Sequence, residues 1–259
     1  MAKDKQAQLR TLADELEKVL GDNLVSFCLY GAGVRDDAAE ERKEFTTLLI
    51  LKDVSPEALR PIEAAVNGWT KKGNPPPLIF ADDGWRSSTD VFPIEVEDMR
   101  EAHLLLKGET PFEGLVTNRE DLRRELEREV RGKLLQLRTE YVALAPDGKA
   151  LGNLLATSAT TFFVLFRAVI RLVGKVPPQE REALVRETAD ATGMDADAFD
   201  WPLARIAGRK VPALSAYDPI ADRYVAQIER LARFVDSYQP QGAGAEPPSA
   251  GAEPPSASG

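Results

Sequence analysis

The sequence predicts an α+β architecture: a small mixed β-sheet flanked by helices, followed by an all-α helical bundle. Three observations predict it. Two short runs of strand formers, Leu24 to Tyr30 and Thr46 to Leu51, stand in the first part of the chain between amphipathic helical stripes. Beyond Thr117 the apolar residues recur only at three- and four-residue steps. Strands gathered first and helices gathered afterwards segregate into separate layers. The expected division is a sheet domain over 1–117, a bundle over 118–238 and a tail over 239–259.

Each element has its own local warrant. Leu9, Leu12, Leu16, Val19 and Leu20 share one helical face, and Gly21 stands where that helix stops. The strand Leu24 to Tyr30 ends at Gly31-Ala32-Gly33, and a heavily charged loop is expected from Val34 to Glu44. After the strand Thr46 to Leu51, Ser55-Pro56 supplies an N-cap with proline at the first helical position. Leu59, Ile62, Val66 and Trp69 form that helix's buried stripe, and Gly73-Asn74 with three prolines ends it. Strands are expected at Pro77 to Phe80 and at Val91 to Val96, the latter at an edge because Pro93 offers no ladder donor. A short helix is expected from Asp98 to Lys107. In the second part, Leu122, Leu126, Val130, Leu134, Leu137 and Tyr141 trace a long amphipathic stripe. A more apolar, central helix is expected from Leu151 to Val173, with others at Gln179 to Thr192, Ala196 to Ala207 and Pro219 to Tyr238.

Composition removes several function classes. A net charge of −9 disfavours non-specific binding to a phosphate backbone, which needs surplus Lys and Arg. The one cysteine, Cys28, allows neither an internal disulfide nor a multi-thiolate metal site, and its apolar neighbours place it in a buried strand. The N-terminus has no apolar signal core. The window Leu154 to Val173 carries Arg167 and Arg171 and is expected to be too short and too charged to span a bilayer. A cytoplasmic protein without membrane attachment is the expectation. From Gln239 the chain reads QPQGAGAEPPSAGAEPPSASG, with Gly-Ala-Glu-Pro-Pro-Ser-Ala twice in tandem. Lacking any large apolar residue, it is expected to be disordered.

The informative segment is Leu24 to Leu51: a strand, a Gly-small turn, a polar loop and a second strand. With Phe92-Pro93-Ile94-Glu95-Val96-Glu97-Asp98-Met99 further on, it resembles the front of the nucleotidyltransferase fold of the DNA polymerase beta superfamily, in a bacterial branch. The following helices, with Leu134 to Arg138, resemble the bundle of the kanamycin-nucleotidyltransferase type. The resemblance covers roughly residues 7 to 175. It implies a Gly-Ser turn approaching a nucleoside triphosphate through backbone amides, here Gly31, Ala32 and Gly33. It also implies an Asp-x-Asp or Asp-x-Glu pair on the second strand, where side chains at i and i+2 share a face and jointly hold divalent metals. Aligning the strands puts Phe45 and Thr47 at those two positions, with Glu44 one residue out of phase. If Phe45 instead packs into the core and Glu44 and Thr46 face the cleft, this register is one residue out and Glu44 becomes a candidate ligand. The third carboxylate corresponds to Glu95, expected on a strand beside Thr47 in one cleft with Gly31 and Ala32.

Two of three carboxylates are thus replaced. The expected function is a catalytically degenerate binding module for a nucleotide or a protein partner, or a homodimer, with no resident metal. The alternative is an active transferase with a remodelled site, which would require Mg²⁺. Asp82, Asp83, Asp90 and Glu97 could supply carboxylates from other positions, but each also reads as a solvated acid. His103, the single histidine, reads as a packed or capping residue more readily than as a base. Arg167 and Arg171, one turn apart, suit either an anion or structural ion pairs with acidic helices. A dinucleotide-binding reading of Gly31-Ala32-Gly33 with Asp53 fails because Asp36 occupies the third glycine position and Val34 to Glu44 is too short for a crossover helix.

Overall fold

The computed structural model describes residues 2–35 and 45–239, with side chains from residue 5 onward. Residues 36–44 and 240–259, which hold most of the expected charged loop, Glu44 and the repeat tail, lie outside the described residues.

Helix α1 (Ala2–Leu20) leads through a 3-10 turn into β1 (Leu24–Tyr30), and β2 (Thr46–Leu51) pairs with it antiparallel. The Ser55 hydroxyl caps α2 (Pro56–Leu59) by accepting from the Ala58 amide at 3.4 Å. A 3-10 turn carrying Pro61 separates α2 from α3 (Glu63–Thr70). Strand β3 (Leu78–Ala81) then lies parallel to β2. Helices α4 (Asp82–Arg86) and α5 (Pro93–Glu101) precede β4 (His103–Gly108), which pairs antiparallel with β1. The sheet order is β3-β2-β1-β4, a mixed sheet drawn from residues 24–108, and no described strand follows.

Two expectations are overturned here. Residues 93–101 are helical, not a strand: Pro93 sits in the first turn, where its missing N–H costs nothing. Pro93, Ile94, Val96 and Met99 are the buried positions of that helix. The segment expected to continue as helix to Lys107 is instead β4, so His103 is a strand residue opposite Tyr30. Gly108 ends this strand at φ 78°, and a Cβ there would stand 2.1 Å from the Val25 carbonyl oxygen, so only glycine fits.

The second part is all-helical among the described residues: α6 (Arg119–Leu144), α7 (Gly148–Leu172), α8 (Arg181–Thr192), α9 (Asp200–Ile206) and α10 (Pro219–Ser237). Asn118, Asp147 and Asp218 cap α6, α7 and α10 through side-chain oxygens. The apolar stripes of these helices meet in one core, with Phe162, Phe166, Phe199 and Tyr224 at its centre. Burying each such side chain contributes about 1.5–3 kcal/mol. Helix α7 proves longer than expected, and by length and composition alone it could cross a membrane. However, 61% of its most apolar window is buried within the fold, so its apolar surface is consumed by neighbouring helices.

The sheet divides the first part into two layers. Phe27, Leu29, Phe45, Leu49 and Leu51 pack against α1 and α3. Cys28, Leu48 and Ile50 pack on the other face with Trp85, Val96, Met99 and Phe112. Helix α5, on this second face, also packs on α6 and α7 and so joins the sheet to the bundle.

Candidate functional site

Alternation along β2 decides which side chains can meet. Phe45 is 5% exposed within the α1-side core, and the odd residues Leu49 and Leu51 follow it there. Thr47 shares this parity. It is 1% exposed, and its hydroxyl has no hydrogen-bond partner. The expected placement of Phe45 and Thr47 in a cleft is therefore corrected. The register is shifted by one, because a strand buried on both faces leaves no polar-apolar alternation to fix its phase. Thr46 is the β2 residue on the α5 side. It pairs with Tyr30, and its hydroxyl donates to the Tyr30 carbonyl at 2.8 Å. Glu44, whose standing depends on the same shift, lies outside the described residues.

Around Thr46 the site is built from three elements. Tyr30 ends β1, and burial pushes its phenol above the usual range, with a smaller push from Glu95 and an opposing hydrogen bond from Thr46. The next residues, Gly31–Gly33, form a 3-10 turn with Gly31 at φ 70°. The Gly31 amide donates to the Ala102 carbonyl at 2.9 Å, so the turn is fastened to the end of α5 and this donor is spent. Ala32 is exposed and Gly33 partly so.

Glu95 enters from α5. It remains exposed, yet surrounding protein raises its pKa; desolvation is the main cause, Glu125 and Glu129 of α6 add to it, and Arg128 opposes. Glu95, Thr46, Tyr30 and the Gly31 turn thus lie on one face of the sheet, while Thr47 lies on the other.

Behind the turn is a charge cluster that sequence reading left open. Arg35 follows the turn and is 6% exposed. It donates to both carboxylate oxygens of Asp98, at 2.9 and 3.3 Å, and to the Asp98 carbonyl. Arg171 of α7 pairs with Glu101 and stands 3.6 Å from Asp98. Gln179 donates to Glu101 at 2.8 Å. Burial holds the Arg35 guanidinium below its ordinary range; Asp98 counters this, while Arg167 and Arg171 deepen it. For Arg171 the structural ion-pair reading prevails. Asp98 and Glu101 lie in the segment read as helical, but their pairing with Arg35 and Arg171 joins residues 63 and 70 positions apart, which helical periodicity does not reveal.

The remaining candidates have local duties. Asp82 pairs with Arg86 at 3.1 Å, Asp83 accepts from the Gly84 amide at 2.7 Å, and Glu97 pairs with Arg100 at 2.6 Å. His103 has Nδ1 2.9 Å from the Arg100 carbonyl oxygen, and its ring packs 4.5 Å from that of Phe112, so it is a packed histidine. Asp53 accepts from the Ser55 amide and hydroxyl. The antiparallel pairing of β1 with β2 also excludes a dinucleotide-binding βαβ unit. Among the described residues, no three Asp, Glu, His or Cys side chains converge closely enough to hold a metal ion.

No family model matches the sequence, and no curated protein matches it. Among solved structures, this chain is similar to the crystal structure of spectinomycin adenyltransferase AAD(9) from Enterococcus faecialis with ATP and spectinomycin. The TM-score is 0.54 at 12% identity, over 89% of this chain and 99% of that one. At that identity the likeness is one of fold. The chain shares the α+β fold of that adenyltransferase, the fold that the sequence resemblance implied.

Proposed function

We propose that this chain is a catalytically degenerate nucleotidyltransferase-fold protein that works in the cytoplasm as a binding module for a nucleotide or a protein partner. The reading divides it near residue 117 into a sheet domain and a helical bundle. The observation that carries it is the β2 register: a neutral threonine, Thr46, occupies the face that Glu95 approaches. Two divalent metals need several anionic oxygens at once. Thr46 and Glu95 alone do not fit that requirement. Nucleotide is favoured among small ligands because the structural neighbour was solved with ATP, and because the exposed Ala32 turn leaves backbone open to an anion. Gly31, Ala32 and Gly33 are the proposed contacts, with Glu95 beside them; Thr47 no longer qualifies.

A second reading, an active transferase with a remodelled site, is favoured by one specific fact. With the register corrected, Thr46 and not Thr47 stands on the α5 side, and this is the register under which the sequence alone makes Glu44 a candidate ligand. Such an enzyme would require Mg²⁺. Calorimetry with ATP, GTP, CTP and UTP, with Mg²⁺ or Mn²⁺, separates the two readings. Metal-independent or absent binding without pyrophosphate release supports the module. Micromolar, metal-dependent binding coupled to pyrophosphate release, and lost in Glu44→Gln and Glu95→Gln, supports the enzyme.

A further inference from the structure

Helix α6 is laced with ion pairs. Arg123 pairs with Glu120 and Glu127, Arg128 with Glu125, Arg131 with Asp236, and Arg138 with Glu229. Besides Arg119 at its first position, two of its charges stand outside this ion-pairing. Lys133 has no ion-pair or hydrogen-bond partner among the described residues, and Glu140 receives only the Gln136 amide at 2.8 Å. Both lie on the α6 lip of a shallow groove of about 110 Å³, and α7 forms the other lip with Thr157 and Thr161.

The α7 lip is unlike the rest of the surface. Between Lys149 and Arg167 the helix has no charged residue. Its exposed positions there, Asn153, Thr157, Thr160, Thr161 and Val164, recur at helical spacing and form one neutral ridge. Farther on, at Arg171, α5 covers the same helix. Arg205 of α9 donates to Asn153 at 3.4 Å, and from Thr157 to Val164 the ridge is open.

We propose that a second copy of this chain docks on this ridge about a two-fold axis, so that Lys133 of each subunit meets Glu140 of the other. Three arguments select that occupant. A chain carrying −9 repels its own copies over most of its surface, and least where the surface is uncharged. Helices α6 and α7 are antiparallel about the turn at 145–147, so Glu140 stands about level with Leu154 and Lys133 about level with Thr161. Lys133 and Glu140 are seven residues, two helical turns or about 10.5 Å, apart along α6. A two-fold axis through the midpoint of that interval also passes near the middle of the threonine ridge. One symmetry operation therefore packs α7 on α7 and gives both unpaired charges a partner of opposite sign, as an isologous interface requires. The charges set register and exclude the parallel arrangement, while the ridge supplies the contact. The inference is independent of whether the cleft binds nucleotide.

Sedimentation velocity of the full chain from about 5 to about 500 µM tests it, a range spanning the weak dimers that small interfaces give. The natural chain is expected to show a concentration-dependent monomer–dimer equilibrium. Lys133→Glu and Glu140→Lys are each expected to weaken it about tenfold or more, since like charges then face one another. The double exchange, Lys133→Glu with Glu140→Lys, is expected to restore it. Circular dichroism confirms the fold of each variant. A natural chain that stays monomeric at the highest concentration overturns the proposal. So does a well-folded double exchange that fails to re-associate, or Thr157→Arg leaving association intact.

Discussion

Arg35 and Asp98, 63 residues apart in sequence, are joined by a two-pronged ion pair at 2.9 and 3.3 Å, with the arginine side chain 5% exposed. The pair ties the residue that leaves the Gly31–Gly33 turn to the helix that carries Glu95. Through Asp98 it also reaches Arg171 of the bundle.

Removing one member of such a pair costs more than the pair contributes, because the other charge stays buried without compensation. Asp98→Ala is therefore expected to lower unfolding stability by about 3–5 kcal/mol. Asp98→Asn, which keeps one acceptor, is expected to lose less. Urea titration measures both. A loss below about 1 kcal/mol for the alanine variant would place the pair among solvent-screened contacts.

The β2 register makes an opposite prediction for neighbouring residues. Phe45 and Thr47 share the face packed against α1, so Phe45→Asp with Thr47→Asp places two carboxylates in an apolar core. That double variant is expected to fail to fold. Thr46→Asp, at a half-buried position on the other face, is expected to fold, with a loss of about 1 kcal/mol from the hydrogen bond to Tyr30. Expression and thermal melts of the two proteins check the register; a stable double variant would refute it.

What the sequence made legible, and what it did not, follows from these same elements. The long stripe of α6, the Ser55-Pro56 cap of α2, and the strands at β1 and β2 were readable because periodicity and capping chemistry are local. The phase of β2 was not readable, since Leu48, Leu49, Ile50 and Leu51 are all buried and apolar pattern cannot say which face is which. Pro93 was read as an edge-strand residue when it begins a helix, a context that proline serves equally well. That one misreading placed Glu95 on a strand instead of the helix that carries it, while Asp98 and Glu101 were read as helical and only their partners Arg35 and Arg171 were out of reach. Ion pairs across such sequence distances leave no local signature.

Cys28 supplies a test of the sheet's integrity. It is fully buried between β2 and β4, and burial pushes its thiol up to about 12, against a smaller opposing effect of a hydrogen bond with the Leu48 backbone. Because the thiolate is the reactive species, Ellman's reagent is expected not to label the native protein at pH 8 and to label it fully in denaturant. Rapid labelling of the native protein would mean that β1 is not enclosed as described.

Glu95 makes the stability of the fold depend on pH. Its carboxyl is raised above the ordinary 4.5, first by desolvation and then by Glu125 and Glu129. A raised acid is held protonated by the folded state while the unfolded chain ionises it more easily. No penalty exists below the unfolded value. As pH rises from about 4.5 through the raised folded value, the unfolded state gains, and the penalty is complete above that value. Glu95→Gln, neutral at every pH, is therefore expected to be more stable than the natural protein at pH 7 and to converge with it below about pH 4. Paired urea titrations from pH 3.5 to 8, with Glu129→Gln as a second variant, read the effect. Removing Glu129 should weaken the pH dependence that Glu95 produces, because one of the charges raising its pKa is gone. A Glu95→Gln protein that is less stable at pH 7 than at pH 4, relative to the natural chain, would mean that Glu95 is held ionised by a favourable partner. It would then be the kind of low-pKa carboxylate that the degenerate-site reading denies.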